Sequence, residues 1–236
     1  MTLAAAFVML ALPTCGRAQD LPQTVLFADD FPAPHLDPAK WVHTSLNDFQ
    51  TEVADVVDGR LRMGAATIGT DDRTVKFHGV RTAEPVVDLS QPCEVCVDAD
   101  WNDQANGCYM TVAVYLCPTV AENPRDEPDW LALQYIGVPP GRNARCWVSV
   151  RTAGHEEALL TENWPEERTG RSIGRQKLHI TLDRETLAIA ENGASLLEVA
   201  EGLGLSFDRA YLYLQHTSHS NYRMREVFFD NVLVGR

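Results

Sequence analysis

Apolar and polar residues alternate with a period of two through the C-terminal residues 210–236. Around residues 211–217, Leu212 and Leu214 form an apolar side, while Tyr213 and Gln215 belong to a side of aromatic and amide groups. Around residues 227–233 both sides are mostly apolar, as in a strand that is covered on both faces. The pattern predicts that two strands close the fold and that the second lies inside a sheet.

Short period-two segments of this kind recur along the whole chain and are separated by turn dipeptides. Asp58-Gly59 and Asn192-Gly193 predict tight hairpins, and Asn106-Gly107 predicts a hairpin between residues 93–101 and 108–117. No long segment has the 3.6-residue period of a helix. We therefore predict an all-β domain over residues 24–236, a two-sheet antiparallel β-sandwich or jelly roll.

The N-terminal residues 1–12 are nearly all apolar, and small or polar residues follow them. This stretch is too short to span a bilayer and is typical of a secretory signal, so we expect a signal peptide over residues 1–18. The mature protein would then be secreted or periplasmic. Leu12-Pro13-Thr14-Cys15 is a poor lipoprotein box, and a lipid on Cys15 is the alternative.

The formal net charge of the chain is −13. So acidic a protein is a poor partner for nucleic acid or for an anionic membrane surface. After the leader, no segment is apolar enough to cross a membrane. The charge either serves solubility alone or attracts a cation such as calcium.

The cysteine and histidine residues give little support for a metal or redox site. Cys93 and Cys96 have a CxxC spacing, but no second CxxC completes a zinc site, and residues three apart on a strand face opposite sides. Removal of the leader leaves an odd number of cysteines, five, so at least one thiol is free or pairs between chains. His216 and His219 are either metal ligands or, as we favour, members of a polar turn.

Asp98 and Asp100 are the strongest catalytic candidates, because residues two apart on a strand share a face. Two carboxylates that flank a glycosidic bond can act as acid and nucleophile, with about 5–5.5 Å between them in retaining enzymes. The alternative, which we favour, is that both are solvated or form salt bridges with Arg145 and Arg151.

Aromatic, amide and guanidinium side chains alternate with the apolar residues on several predicted strands. Aromatic rings stack on sugars, and amides or guanidinium groups bond hydroxyls, so this face is a candidate glycan-binding surface. Equally, the aromatic rings could be packed under loops. The candidate ligand-binding residues are Tyr109, Tyr115, Trp130, Gln134, Arg145, Trp147, Tyr211, Tyr213 and Gln215.

The order of several short motifs resembles one known superfamily. DDF, LDPAKW, VVDGRLRM, KLHITLD and the closing YLYLQHTSHSNY…EVFFDNVLV together resemble the concanavalin A-like lectin and glucanase jelly rolls, over the chain from about Asp29 to its end. The resemblance implies a domain that binds or cleaves glycans on the concave face of one curved sheet. The Glu-x-Asp-x-x-Glu motif of the laminarinase branch is absent; the nearest acids are Glu94, Asp98 and Asp100.

The same resemblance implies a structural calcium on the convex side of the sandwich. In that superfamily the ion joins an aspartate of the last strand to backbone oxygens near the first strand and an early glycine turn. The corresponding positions here are Asp30, Gly59 and Asp230. Carboxylate and carbonyl oxygens suit calcium. The alternative is that Asp230 only accepts hydrogen bonds from loop amides.

Three hypotheses for the function follow. The leading one is a secreted, lectin-like module that binds a glycan or polysaccharide without catalysis. The second is a glycoside hydrolase or polysaccharide lyase that uses Asp98 and Asp100. The third is a non-enzymatic surface protein that binds other proteins. The fold class serves all three, so only the site can choose among them.

Overall fold

The computed structural model describes residues 24–45, 51–66, 76–100, 110–137, 145–163, 175–218 and 225–236. Sixteen strands and one short 3-10 helix, Pro124–Asp126, lie in these ranges. The strands are β1 (Val25–Asp29), β2 (Trp41–Ser45), β3 (Thr51–Val57), β4 (Arg60–Ala66), β5 (Lys76–Thr82), β6 (Val87–Asp88), β7 (Cys93–Asp100), β8 (Met110–Cys117), β9 (Trp130–Gly137), β10 (Arg145–Thr152), β11 (His155–Asn163), β12 (Arg175–Leu182), β13 (Leu187–Glu191), β14 (Ala194–Val199), β15 (Arg209–Ser218) and β16 (Arg225–Gly235).

The strands form two antiparallel sheets of eight. Sheet A has the order β14-β13-β12-β7-β16-β4-β3, and β1 pairs with β16. Sheet B has the order β11-β10-β9-β8-β15-β5-β2, and β6 pairs with β15. The first described strand thus lies beside the last, with Val25 opposite Gly235. The predicted all-β, two-sheet antiparallel sandwich is confirmed.

The core lies between the two sheets, because the apolar side of each strand turns inward. Leu61 and Phe229 of sheet A and Leu212 and Leu214 of sheet B are among its fully buried side chains. The opposite side of each strand forms the outer face of its sheet. The described part of the chain contains no helix that is long and apolar enough to span a membrane.

Two of the three predicted hairpins form. Asp58 and Gly59 have φ angles of 52° and 70°, and Asn192 and Gly193 have 51° and 80°, as type I′ turns require. The third prediction was wrong. β7 pairs with β12 and β16 in sheet A, whereas β8 pairs with β9 and β15 in sheet B. Alternation places each strand's apolar side in the core but does not say from which sheet it faces the core.

A bulge in β16 explains why both of its sides looked apolar in the sequence. The register against β7 shifts between Asp230 and Leu233, and Asn231 has a φ of 49°. Val227 and Phe229 point inward before the shift, and Val232 and Val234 point inward after it. One extra residue therefore moves the inward side from odd to even positions.

Candidate functional site

A row of side chains crosses the outer face of sheet B perpendicular to its strands. Gln215 lies opposite Ala113, Ala113 opposite Gln134, and Gln134 opposite Trp147. In the other direction Gln215 lies opposite Gly79, which lies opposite Thr44. We call these six residues the amide row. Since neighbouring strands are about 4.8 Å apart, the row extends over about 24 Å from β2 to β10.

The amide row contains buried polar atoms that lack partners. Gln215 is only 1% exposed, and neither atom of its amide has a hydrogen-bond partner among the described residues. Thr44 Oγ1 and Trp147 Nε1 are also buried without a hydrogen-bond partner among the described residues. The same holds for Ser149 Oγ, which lies beside the row on β10. A buried polar group without a partner costs about 1–3 kcal/mol, so a polar ligand that reached the sheet here would gain hydrogen bonds from these atoms.

The absence of a side chain at Gly79 leaves room for the side chain of Gln215 on the neighbouring strand. A Cβ at this position would lie 2.5 Å from Leu214 O and 3.0 Å from Gln215 Cγ. Both distances are too short for a real side chain, so the Gln215 side chain packs directly over the glycine backbone. The amide is held by the sheet itself rather than by a mobile loop.

A second row, beside the amide row, holds Tyr213, Tyr115 and Ala132 on neighbouring strands. Residues 118–129, which join β8 to β9, lie across this row, and we call this segment the wall. Tyr213 Oη donates to Thr119 O and accepts from Ala121 N, both at 2.9 Å. Because of this burial, the pKa of Tyr213 is raised to about 12.

The wall is also fixed further along the chain. Arg125 O accepts from Trp130 Nε1 at 3.3 Å and from Arg151 Nη1 at 2.7 Å. Asp129 Oδ1 accepts from Ala153 N and from Ser206 Oγ. These bonds attach the wall to β9, β10 and the loop before β15.

The predicted aromatic surface needs a correction. Tyr115, Trp130 and Tyr213 lie on one outer face of sheet B, but they are 2%, 0% and 0% exposed, so no ring can stack on a sugar. The wall covers them, and Tyr115 and Trp130 pack edge to face at 5.6 Å. The alternative of packing under a loop holds for these three.

The other predicted ligand-binding residues differ in accessibility. Gln134, Trp147, Tyr211 and Gln215 share the outer face of sheet B, with Trp147 and Tyr211 half-buried. The Arg81 guanidinium lies 5.4 Å from the centre of the Tyr211 ring. Tyr109 and the side chain of Arg145 lie outside the described residues.

Asp98 and Asp100 do not join this surface. Both are on the outer face of sheet A, on the opposite side of the sandwich, because β7 belongs to that sheet. Asp98 Oδ2 accepts from Asn231 Nδ2 at 2.9 Å, and Asp100 Oδ2 accepts from Arg60 Nη1 at 3.2 Å. The prediction of one groove with acids, aromatics and amides together was therefore wrong.

The three positions predicted for calcium converge in the topology of sheet A. β7 occupies one edge of β16, and the other edge is shared by β4, which pairs with residues 225–229, and by β1, which pairs with residues 232–235. Asp230 lies at the junction, next to Asp30, which follows the end of β1 at Asp29, and next to the start of β4 after Gly59.

Carboxylate groups lie near this junction. Asp30 lines a cavity of about 870 Å³ on the outer face of sheet A, together with Asp98 and Asn231. Among the described residues, no group of three His, Cys, Asp or Glu side chains could hold a metal. Calcium would therefore depend on backbone carbonyls beside the Asp230 carboxylate, which is the donor set that the resemblance implies.

His216 lies in the core rather than in a polar turn, which corrects its predicted place. It is fully buried in β15, and neither ring nitrogen has a partner among the described residues. Burial, and then the neighbouring His78, lower the pKa of His216 to about 3. His78 lies within 3.1 Å of His43 and 2.7 Å of Val53 O. His219 lies outside the described residues.

The four described cysteines, Cys93, Cys96, Cys117 and Cys146, are all free thiols. Cys93 points into the core, whereas Cys96 lines the cavity on the outer face of sheet A. The two therefore face opposite sides, as the strand spacing predicts. Burial raises the pKa of the Cys96 thiol to about 11, so it is a poor nucleophile.

No protein-family model and no curated protein matches the sequence. Solved structures do match the fold. The endo-β-1,3-glucanase of Pyrococcus furiosus superposes with a TM-score of 0.66 at 14% identity, over 89% of this chain and 93% of that one. The laminarinase catalytic domain of Thermotoga maritima gives 0.65 at 13% identity, over 92% and 99%. A variant of LamA from Zobellia galactanivorans, in complex with laminaritriose and laminaritetraose, gives 0.64 at 12% identity, over 91% and 100%.

The chain has the concanavalin A-like jelly-roll fold of these glucanases. The resemblance that the sequence motifs indicated is thereby confirmed for the fold. The polar side chains of this face were predicted only in part: Gln134, Trp147 and Gln215 were predicted, while Thr44 of the amide row and Ser149 beside the row were missed. Thr44 follows Val42 and Ser149 follows Trp147 at a spacing of two, so the alternation itself was the available signal.

Proposed function

We propose that the protein binds a polysaccharide of the β-glucan class along the amide row of sheet B. The observation that carries the proposal is the series of buried, unpartnered polar atoms on Thr44, Gln215, Trp147 and Ser149. Sugar hydroxyls both donate and accept, so one chain laid across the strands could satisfy an amide, two hydroxyls and an indole N–H together. The half-buried ring of Trp147 would add a stacking contact.

Hydrolysis is the second candidate, and the comparisons favour it, because the matched proteins are glucanases by name. The geometry favours binding instead. The four strands β8, β9, β10 and β15 at the centre of sheet B contain neither Asp nor Glu. A pair of catalytic acids would have to come from other segments, such as the one holding Asp103 or the one holding Glu166 and Glu167.

Recognition of another protein is the third candidate. It is favoured by the wall, since a face that is filled by the chain's own loop leaves less room for a sugar. The amide row is buried as well, with Gln215 1% and Gln134 6% exposed, but its unpartnered atoms need polar partners. A polar ligand fits them better than an apolar protein surface.

A structural calcium at Asp30, Gly59 and Asp230 belongs to the same proposal. It would join β1, β4 and β16 where they meet and would stabilise the sandwich without touching the glycan. We also propose that the N-terminal leader directs secretion, since polysaccharides of this class occur outside the cell.

The test is a glycan array run beside a reducing-sugar assay on laminarin and mixed-linkage β-glucan. We expect binding without release of sugar ends. Gln215→Ala should weaken binding by about 1–3 kcal/mol and leave the fold at least as stable, because it removes an unpartnered amide. Asp100→Asn, on the other sheet, is the control and should bind normally. Release of reducing ends by the unmodified protein would establish hydrolysis, and no glycan bound at all would reject both readings.

A further inference from the structure

The start of the wall is attached to sheet B by the hydroxyl group of Tyr213. Tyr213 Oη bonds two points of the wall, Thr119 O and Ala121 N, from a ring that is 0% exposed. The next aromatic residue on the same face of β15, Tyr211, lies against the guanidinium group of Arg81. Tyr213 and Tyr211 therefore point to the same side of β15, but Tyr213 bonds to the wall and Tyr211 contacts Arg81.

The wall also has internal bonds that keep its shape. Thr119 Oγ1 donates to Glu127 Oε2 at 2.6 Å, and Asn123 caps the 3-10 helix by accepting from Arg125 N at 3.2 Å. With Arg125 O held by both Trp130 and Arg151, the segment is tied at its start, middle and end. It is thus a fixed border rather than a lid.

The border runs along one side of the amide row. Gln215 is two residues from Tyr213 on β15, and Gln134 is two residues from Ala132 on β9, so the wall begins one side chain away from the row. If a sugar chain lies on the amide row, a substituent on that side would point toward the wall.

We infer that Tyr213 is a positioning residue that sets specificity, since it holds the wall where it admits unbranched glycan chains and excludes chains with a branch on the wall side. The inference rests on the proposed glycan binding. Tyr213 itself does not touch the sugar, because its ring is sealed beneath the wall. Loss of its hydroxyl should loosen the wall and leave the amide row in place.

The experiment compares Tyr213→Phe with Tyr211→Phe, a change of the same kind on the same face of the same strand. The first measurement is limited proteolysis by trypsin, with cleavage after Arg125 followed by mass spectrometry. Loss of two hydrogen bonds should raise the rate of cleavage there about tenfold in Tyr213→Phe and not in Tyr211→Phe. Equal rates in both variants and in the unmodified protein would overturn the inference.

The second measurement is affinity for an unbranched laminari-oligosaccharide and for a β-1,3-glucan that carries single β-1,6-linked glucose branches. The unmodified protein and Tyr211→Phe should bind the unbranched chain more tightly than the branched one. In Tyr213→Phe the ratio of these two affinities should fall about tenfold. An unchanged preference in Tyr213→Phe would show that the wall does not select. If the unmodified protein binds neither glycan, the proposed function fails, and the trypsin measurement still decides whether Tyr213 holds the wall.

Discussion

The hydroxyl of Tyr135 donates a hydrogen bond of 2.9 Å to Oε2 of Glu191 across the core. Tyr135 lies on β9 of sheet B and Glu191 on β13 of sheet A, and they are 2% and 3% exposed. The bond therefore joins the two layers of the sandwich at a place where a carboxylate would otherwise meet apolar side chains. Burial, with Cys146 and Glu191 nearby, raises the pKa of Tyr135, so the hydroxyl keeps its proton.

Tyr135→Phe should destabilise the protein by about 1–3 kcal/mol, because the buried Glu191 carboxylate loses a donor while the packing volume is kept. Urea unfolding measures the change. Glu191→Gln, which keeps an acceptor at this place, should cost less. Equal stability of Tyr135→Phe and the unmodified protein would show that the bond contributes nothing across the core.

His216 should make the fold sensitive to acid. Its pKa is about 3 in the folded protein and about 6.5 when unfolded, so the unfolded chain takes up a proton first. The stability is complete above pH 6.5 and is lost as the pH falls from 6.5 towards 3, by about 2–3 kcal/mol between pH 7.5 and 4.5. His216→Leu should flatten this slope in urea unfolding curves, whereas a change of the exposed His35 should not.

Gly79→Ala should destabilise the protein by about 1–3 kcal/mol, as overpacking does. The new methyl group would lie 2.5 Å from Leu214 O, which belongs to the backbone of the neighbouring strand and cannot turn away. Thermal melting of Gly79→Ala and of a Gly79→Ala, Gln215→Ala double variant separates the two contacts. Full recovery in the double variant would mean that the Gln215 side chain, not the backbone, causes the loss.

Trp130 and Trp147 of sheet B should respond differently to alanine. Trp130→Ala should lower stability by about 3–5 kcal/mol, because the ring is completely buried beneath the wall. Trp147→Ala should instead weaken glycan binding by about 1–3 kcal/mol with a smaller loss of stability. Melting curves and glycan titrations on both variants measure this. Unfolding of Trp147→Ala would place its ring in the fold rather than in the site.

A calcium ion at the junction of β1, β4 and β16 should raise the melting temperature. Binding to the folded state alone adds about 2.7 kcal/mol at a hundredfold excess over Kd. Asp230→Ala should remove the response to calcium and to chelator, while Glu198→Ala, an exposed acid on the edge strand β14, should keep it. Identical melting curves with chelator and with millimolar calcium would eliminate the site.

The turns and the inward side of most strands could be predicted from the sequence. Asp58-Gly59 and Asn192-Gly193 adopt left-handed conformations that few other pairs accept, so two hairpins followed from four residues. The alternation around Leu212 and Leu214 placed Tyr213 and Gln215 on the outer face correctly, because a strand side chain has only two directions.

The pairing of strands was decided by tertiary structure alone. Asn106-Gly107 looked like a third hairpin, yet β7 and β8 lie in opposite sheets, and this single difference removed Asp98 and Asp100 from the surface that holds Gln134 and Gln215. Alternation is a local property that repeats identically in both sheets, so it contains no information on which sheet a strand joins.

Tertiary structure alone also decided which side chains on an outer face are exposed to solvent. Trp130, Tyr213 and Gln215 each lie on an outer face, but residues 118–129 fold back over the two rings and leave the amide without a partner. The sequence by itself determined which side of a strand each residue occupies. What covers that side depends on contacts between segments far apart in the chain, such as Tyr213 with Ala121, and only the folded structure brings these together.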